Sequence, residues 1–154
     1  MNTQRRHTLQ RASGLAVIAA AISAGLLPAS AFANWNKAAF DAKTLNEVVK
    51  AMGGSAAEKS ADIVITAPDI AENGAVVPVA VASKIANTQS ISILVEKNPS
   101  SLAAEFEILP GTEANAGTRV KMGQSSNIHA VVKAGGKYYV ATKEVKVTLG
   151  GCGG

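Results

Sequence analysis

The residue best equipped for chemistry is Cys152, the only cysteine of the chain, set in the run Leu149-Gly150-Gly151-Cys152-Gly153-Gly154. A thiolate is an intrinsically strong nucleophile and forms covalent adducts with other sulfur species. Glycine adds no side-chain bulk and has the widest backbone freedom, so Gly150, Gly151, Gly153 and Gly154 make a thin, flexible arm able to carry the thiol into a narrow site on another protein. Leu149 to Cys152 is three residues, a reach of roughly 10 Å past the last apolar side chain. An unperturbed thiol, with a pKa of about 8.5, is on the order of 3% ionised at pH 7. No Lys, Arg or His lies within five residues of Cys152, so activation is expected from whichever protein receives the arm.

Other chemistry is thin. Beyond residue 33 the one histidine is His129, in a predicted strand, where a half-buried structural role is expected rather than that of a base. One thiol and one imidazole do not make a zinc site, which takes three or four protein ligands. No Ser/His/Asp or paired-carboxylate spacing is present, so neither an autonomous active site nor a bound cofactor or metal is expected. Tyr138 and Tyr139 are strand neighbours and must face opposite ways, one inward and the other exposed as a possible protein contact.

The N-terminus reads as an export signal. Arg5, Arg6 and Arg11 give a positive start, Gly14 to Leu27 is apolar, and Ala31-Phe32-Ala33 has the small-x-small pattern of a cleavage site. Arg5-Arg6 resembles a twin-arginine signal, which exports folded proteins. Thr8 and Gln10 depart from the usual pattern. The apolar stretch is shorter than the roughly 20 residues of a membrane span, and none is expected elsewhere. The full chain has 15 Lys+Arg against 11 Asp+Glu; three arginines leave with the signal, so residues 34–154 carry 12 against 11. With that balance, no basic run and few aromatics, a nucleic-acid role has no footprint.

The arm must spring from a stable body, and residues 34–149 have the length for one core. Thr44-Leu45-Asn46-Glu47 is a capping box, and Leu45, Val48, Val49 and Met52 follow on one helical face, with Gly53-Gly54 as the stop. Trp35 and Phe40 are expected to anchor this helix on the core. From Ala61 onward short β-branched runs alternate with turn residues, predicting strands at 63–66, 76–82, 90–96, 102–109, 118–122, 128–133 and 137–149. The turns fall at Asn73-Gly74, Asn98-Pro99, Pro110-Gly111 and Ala134-Gly135-Gly136. About seven strands point to a mainly β fold, an immunoglobulin-like antiparallel β-sandwich with a short N-terminal helix and a flexible C-terminal arm. Pro78 cannot donate to a ladder, which predicts an edge or a bulge in its strand. In the last strand Val145, Val147 and Leu149 alternate with Lys146 and Thr148, placing the boundary between anchored strand and free arm at Gly150.

Three groups of residues carry a resemblance: the glycine-cysteine tail with the twin-arginine-like start, the segment Ile70-Ala71-Glu72-Asn73-Gly74-Ala75-Val76-Val77-Pro78-Val79, and Glu96-Lys97-Asn98-Pro99 with the stretch Lys143 to Thr148. Together they resemble the SoxY family, sulfur-carrier subunits of the periplasmic thiosulfate-oxidising Sox system. The resemblance implies that Cys152 receives thiosulfate as a cysteine S-thiosulfonate and that the carrier is not itself the catalyst. It implies a c-type cytochrome that makes the conjugate, a hydrolase that releases sulfate, and a sulfane dehydrogenase that oxidises the sulfur left behind. It also implies a heterodimer with a SoxZ-like immunoglobulin-fold chain, exported together with it to the periplasm. Three alternatives stand beside this: an exported β-sandwich structural or interaction protein joined to a partner through a disulfide at Cys152, a thiocarboxylate carrier using the Gly153-Gly154 end, and a thiol oxidoreductase. Export away from ATP argues against the second, and the missing Cys-x-x-Cys pair against the third.

Overall fold

The computed structural model describes residues 36–148. Two short helices, α1 (Lys37–Asp41) and α2 (Leu45–Ala51), precede nine strands: β1 (Ala57–Lys59), β2 (Ile63–Thr66), β3 (Ile70–Ala71), β4 (Val77–Ser83), β5 (Thr88–Val95), β6 (Leu102–Glu107), β7 (Asn115–Val120), β8 (Ser126–Ala134) and β9 (Lys137–Val147). The larger sheet runs β1-β9-β8-β5-β6, with β3 also on β9; the smaller is β2-β4-β7. The two stack as the expected immunoglobulin-like sandwich, and the helices make a third layer on the outer face of the larger sheet.

The alternation of side chains decides which residues fill which layer. In β4, Val77, Val79 and Val81 are buried while Pro78, Ala80 and Ala82 point to solvent. Those valines meet Ile91, Ile93, Val95, Ile128, Ala130, Val132 and Val145 in the core between the sheets. The opposite face of the larger sheet places Leu94, Val131, Val140 and Tyr138 under Ala39, Val48 and Val49 of the helices. Because β5 and β8 are covered on both sides, they read as near-continuous apolar runs rather than alternating ones.

The capping box of α2 is formed: Thr44 Oγ1 accepts from the Glu47 amide at 3.3 Å, and Glu47 Oε2 accepts from the amides of Lys43 and Thr44 at 2.9 and 3.2 Å. These amide donors, that of Lys43 foremost, hold the Glu47 carboxyl below its ordinary pKa. Phe40 packs against the cluster beneath the helices, as expected, whereas Trp35 lies outside the described residues.

The structure departs from the sequence-based expectations in four places. Two short strands, β1 and β3, and the helical turn α1 were not anticipated; β1 and β3 pair parallel with β9, so the sandwich is not wholly antiparallel. Pro78 sits in the central strand of the smaller sheet. The β2 ladder stops at Thr66↔Ala80, however, so opposite Pro78 a neighbour is present only on the β7 side, at Arg119, and the proline sits where one edge of the strand is open. The Pro110-Gly111 turn falls between β6 and β7 as expected, but β6 ends at Glu107 rather than 109, and β7 starts three residues earlier than predicted. Finally, neither tyrosine stands free: Tyr138 is 4% exposed beneath the helices, its hydroxyl donating to Met52 O at 2.5 Å, and Tyr139 packs against the inter-sheet core.

Candidate functional site

β9 is the element that leads to the C-terminal segment. It leaves a tight hairpin at Gly135 and Gly136, whose φ values of +56° and +78° suit a two-residue turn that only glycine makes without strain, and pairs with β8 from Ala134↔Lys137 to Ser126↔Val145. Its other edge is taken first by β1, at Tyr138 to Val140, and then by β3, at Lys146 and Val147.

At its far end β9 is held residue by residue. The Lys146 amide donates to Asp69 O at 2.9 Å, the Val147 amide to Ser125 Oγ at 2.9 Å, and the Thr148 amide to Ala71 O at 3.1 Å. Lys143 Nζ lies 3.0 Å from Asp69 Oδ1, an exposed pair of small worth. Val145 is fully buried and Val147 packs against the inter-sheet core. Beside Val147 the backbone of Gly74 passes so close that a Cβ there would lie 2.4 Å from Met122 O and 2.8 Å from Val147 Cγ1. The Met122 amide donates to Gly74 O at 2.7 Å, and Asn73 Oδ1 accepts from the Ala75 amide at 2.9 Å, fixing this clasp.

The segments singled out in the sequence converge on this pole of the sandwich. Ile70 to Val77 forms β3 and the clasp; Asn98 Nδ2 donates to Lys121 O at 2.7 Å and the Lys97 amide to Ser126 Oγ at 3.0 Å, tying the β5–β6 turn to the 121–126 segment that also carries Met122 and Ser125. Sequence reasoning missed the parts played by Ser125, Met122 and Asp69. Gly74 was visible only as a turn signal, although its real constraint is space. Cys152, Gly150, Gly151, Gly153 and Gly154, together with Arg5, Arg6, Ala31 and Ala33, lie outside the described residues.

His129 stands on β8 on the outer face of the larger sheet. Its Nδ1 is 2.8 Å from Thr142 Oγ1, and its Nε2 is 3.6 Å from Glu96 Oε2, which in turn accepts from Asn127 Nδ2 at 2.7 Å. Burial holds the imidazole below its ordinary pKa, and the Glu96 carboxylate pulls the other way. The ring is a partnered, mostly buried side chain; its side chain is 12% exposed. Its cross-strand partner on β9 is Thr142. Among the described residues no group of three or more His, Cys, Asp or Glu side chains is placed to hold a metal ion, and no helix is long and apolar enough to cross a membrane.

Comparison with known proteins agrees with this architecture. No curated protein sequence matches the chain. Among solved structures, the sulfur carrier protein SoxY from Chlorobium limicola f thiosulfatophilum is 42% identical, with a TM-score of 0.59, over 66% of this chain and 94% of that one. Two variants of the superoxide reductase (neelaredoxin) from Ignicoccus hospitalis are 19% identical with a TM-score of 0.50, covering 56% and 64% of this chain and 79% and 87% of theirs; this likeness extends to the fold alone. A family model described as sulfur oxidation protein SoxY matches residues 48–152, a span running from α2 through the clasp and β9 to the cysteine itself. The chain belongs to the SoxY family of sulfur carrier proteins of sulfur oxidation.

Proposed function

We propose that this protein holds thiosulfate-derived sulfur covalently on Cys152 and presents it to enzymes of the Sox system without catalysing the conversions. The observation that carries the reading is the combination of a family match that ends on Cys152 with a strand pinned through Thr148, four residues before it. A root fixed at Thr148, with only Leu149 and two glycines before the cysteine, supports a short tether that raises the thiol's effective concentration for an enzyme docked at this pole.

The conjugation joins the Cys152 thiolate to the outer sulfur of thiosulfate. One S–S bond forms, the thiol proton is released, and two electrons pass to a c-type cytochrome, leaving a cysteine S-thiosulfonate. A hydrolase then adds water across the S–SO3 bond, so that sulfate departs and a persulfide remains on Cys152 for a sulfane dehydrogenase. The protein's own part is to hold, orient and release. A SoxZ-like immunoglobulin-fold chain completes a heterodimer. A twin-arginine signal through Arg5 and Arg6, cut after Ala33, brings both to the periplasm.

The test is intact-mass analysis of the mature protein after incubation with thiosulfate and the conjugating cytochrome. Wild type is expected to gain the mass of one thiosulfate and Cys152→Ser none, with the two proteins melting alike. Addition surviving in Cys152→Ser refutes the assignment.

A further inference from the structure

Asn73-Gly74 is the only Asn-Gly pair of the chain, and the clasp arranges it for a reaction that needs no enzyme. An asparagine side chain is attacked at Cγ by the backbone nitrogen of the next residue when that nitrogen is free and unhindered, and glycine hinders it least. Here the Gly74 N–H has no hydrogen-bond partner among the described residues. The carbonyl under attack is polarised, because Asn73 Oδ1 accepts from the Ala75 amide at 2.9 Å. That donor lies where the oxygen gains negative charge as the nitrogen adds, the arrangement of a one-donor oxyanion hole. The leaving group is free as well: Asn73 is exposed, and its Nδ2 has no partner among the described residues.

No other asparagine among the described residues combines these features. Asn36, Asn98, Asn115 and Asn127 each donate through Nδ2 to a protein acceptor. Asn46 is followed by Glu47, whose N–H is held by Thr44 Oγ1, and Asn87 by the β-branched Thr88. The product of the reaction changes the clasp. Attack closes a succinimide, which water opens at either carbonyl: one opening gives an ordinary aspartate, the other an isoaspartate whose main chain is one methylene longer. There is no room for that methylene. Gly74 O is held by the Met122 amide at 2.7 Å, and a single carbon added at Gly74 would lie 2.4 Å from Met122 O and 2.8 Å from Val147 Cγ1. The lengthened turn must lift away from Met122, and Val147 loses the neighbour packed beside it.

We propose that Asn73 is a site of spontaneous conversion to isoaspartate and that the conversion opens the clasp, loosening the hold on the C-terminal end of β9. The Gly74 nitrogen gives its proton to solvent and bonds to Asn73 Cγ; the Cγ–Nδ2 bond breaks, and Nδ2 takes up a proton and leaves as ammonia. Water then adds across one C–N bond of the imide. No electrons change hands and no co-reactant other than water is consumed. Because the nitrogen must lose its proton to attack, the conversion quickens as pH rises. None of this involves Cys152, so it stands or falls apart from the carrier function proposed above.

The test incubates the mature protein at neutral and mildly alkaline pH, folded and in urea above its unfolding midpoint, and follows each asparagine by peptide mapping with an isoaspartate-specific methyl-transfer assay. Asn73 is expected to convert roughly tenfold faster than any other asparagine, and no more slowly in the folded protein than in urea. In the isoaspartate form, amide exchange at Val147 and Thr148 is expected to rise roughly fivefold, the equivalent of one lost hydrogen bond. Asn73→Asp carries the new charge without the longer main chain and keeps an oxygen for the Ala75 amide, so its exchange is expected to match unconverted wild type. Asn73→Ser is expected to gain no isoaspartate at this turn. Conversion slower in the folded protein than in urea, or no faster at Asn73 than at other asparagines, overturns the site. Unchanged exchange at Val147 and Thr148 in the isoaspartate form, or an equal rise in Asn73→Asp, overturns the opening of the clasp.

Discussion

Gly74→Ala is the smallest change that tests whether the clasp holds the root of the C-terminal segment. The added methyl carbon would sit 2.4 Å from Met122 O and 2.8 Å from Val147 Cγ1. The first of these is backbone and cannot swing aside as a side-chain tip can. Gly74 is not among the residues of positive φ, so space and not backbone conformation forbids the side chain. Relief requires the 73–75 turn to lift, which breaks the 2.7 Å bond from the Met122 amide to Gly74 O. That bond is worth about 1 kcal/mol, and overpacking adds about 1–3 kcal/mol. The reduced freedom of the unfolded alanine chain returns about 0.4–1 kcal/mol, for a net loss of about 2 kcal/mol. Urea titration of the mature protein is expected to show the midpoint lowered by roughly 1 M, and the melt by roughly 8 °C. Because Val147 is one of the two contacts, amide exchange at Val147 and Thr148 is expected to accelerate more than at Val131 in the centre of β8. Wild-type stability together with unchanged protection at Val147 and Thr148 would refute the reasoning.

Two further outcomes follow from the same geometry. Burial depresses the His129 pKa in the folded protein below its unfolded value near 6.5, so the unfolded chain binds the proton more readily; the stabilisation is fully present above about 6.5 and is lost as pH falls through the folded value. Urea midpoints measured from pH 7.5 down to 5 are expected to fall, and His129→Asn to flatten that fall, whereas a parallel curve in the variant excludes His129 as its source. Tyr138→Phe removes the hydroxyl that donates to Met52 O at the end of α2 and is expected to cost about 1 kcal/mol, read as a shift in the urea midpoint with no change in Cys152 alkylation.

Much of this protein is legible in its residues because the relevant forces are local. The Thr44–Glu47 capping box, the alternating valines of β4, and the hairpin glycines before β9 each announce their element within a few residues, since caps, alternation and positive φ are decided by neighbours in the chain. The thiol of Cys152 among glycines is a local feature too, and the carrier role proposed for it is read from those residues without a fold. Pairings between distant segments were not legible. β1 and β3 have two or three residues each and no alternation to display; they are strands only because β9 offers an edge. Pro78 occupies a central strand because β2 turns away just before reaching it, a decision made by the path of residues 67–70 rather than by the proline. Asn73-Gly74 looked like an ordinary turn, and the need for glycine there arises from Met122 and Val147, far away in sequence, crowding the same point. Residue types thus determined the thiol, its glycine neighbours and the sandwich, because those depend on side-chain chemistry and short-range conformation. The clasp at the pole and the burial of Tyr138 beneath the helices were decided only when long-range packing brought separate segments together.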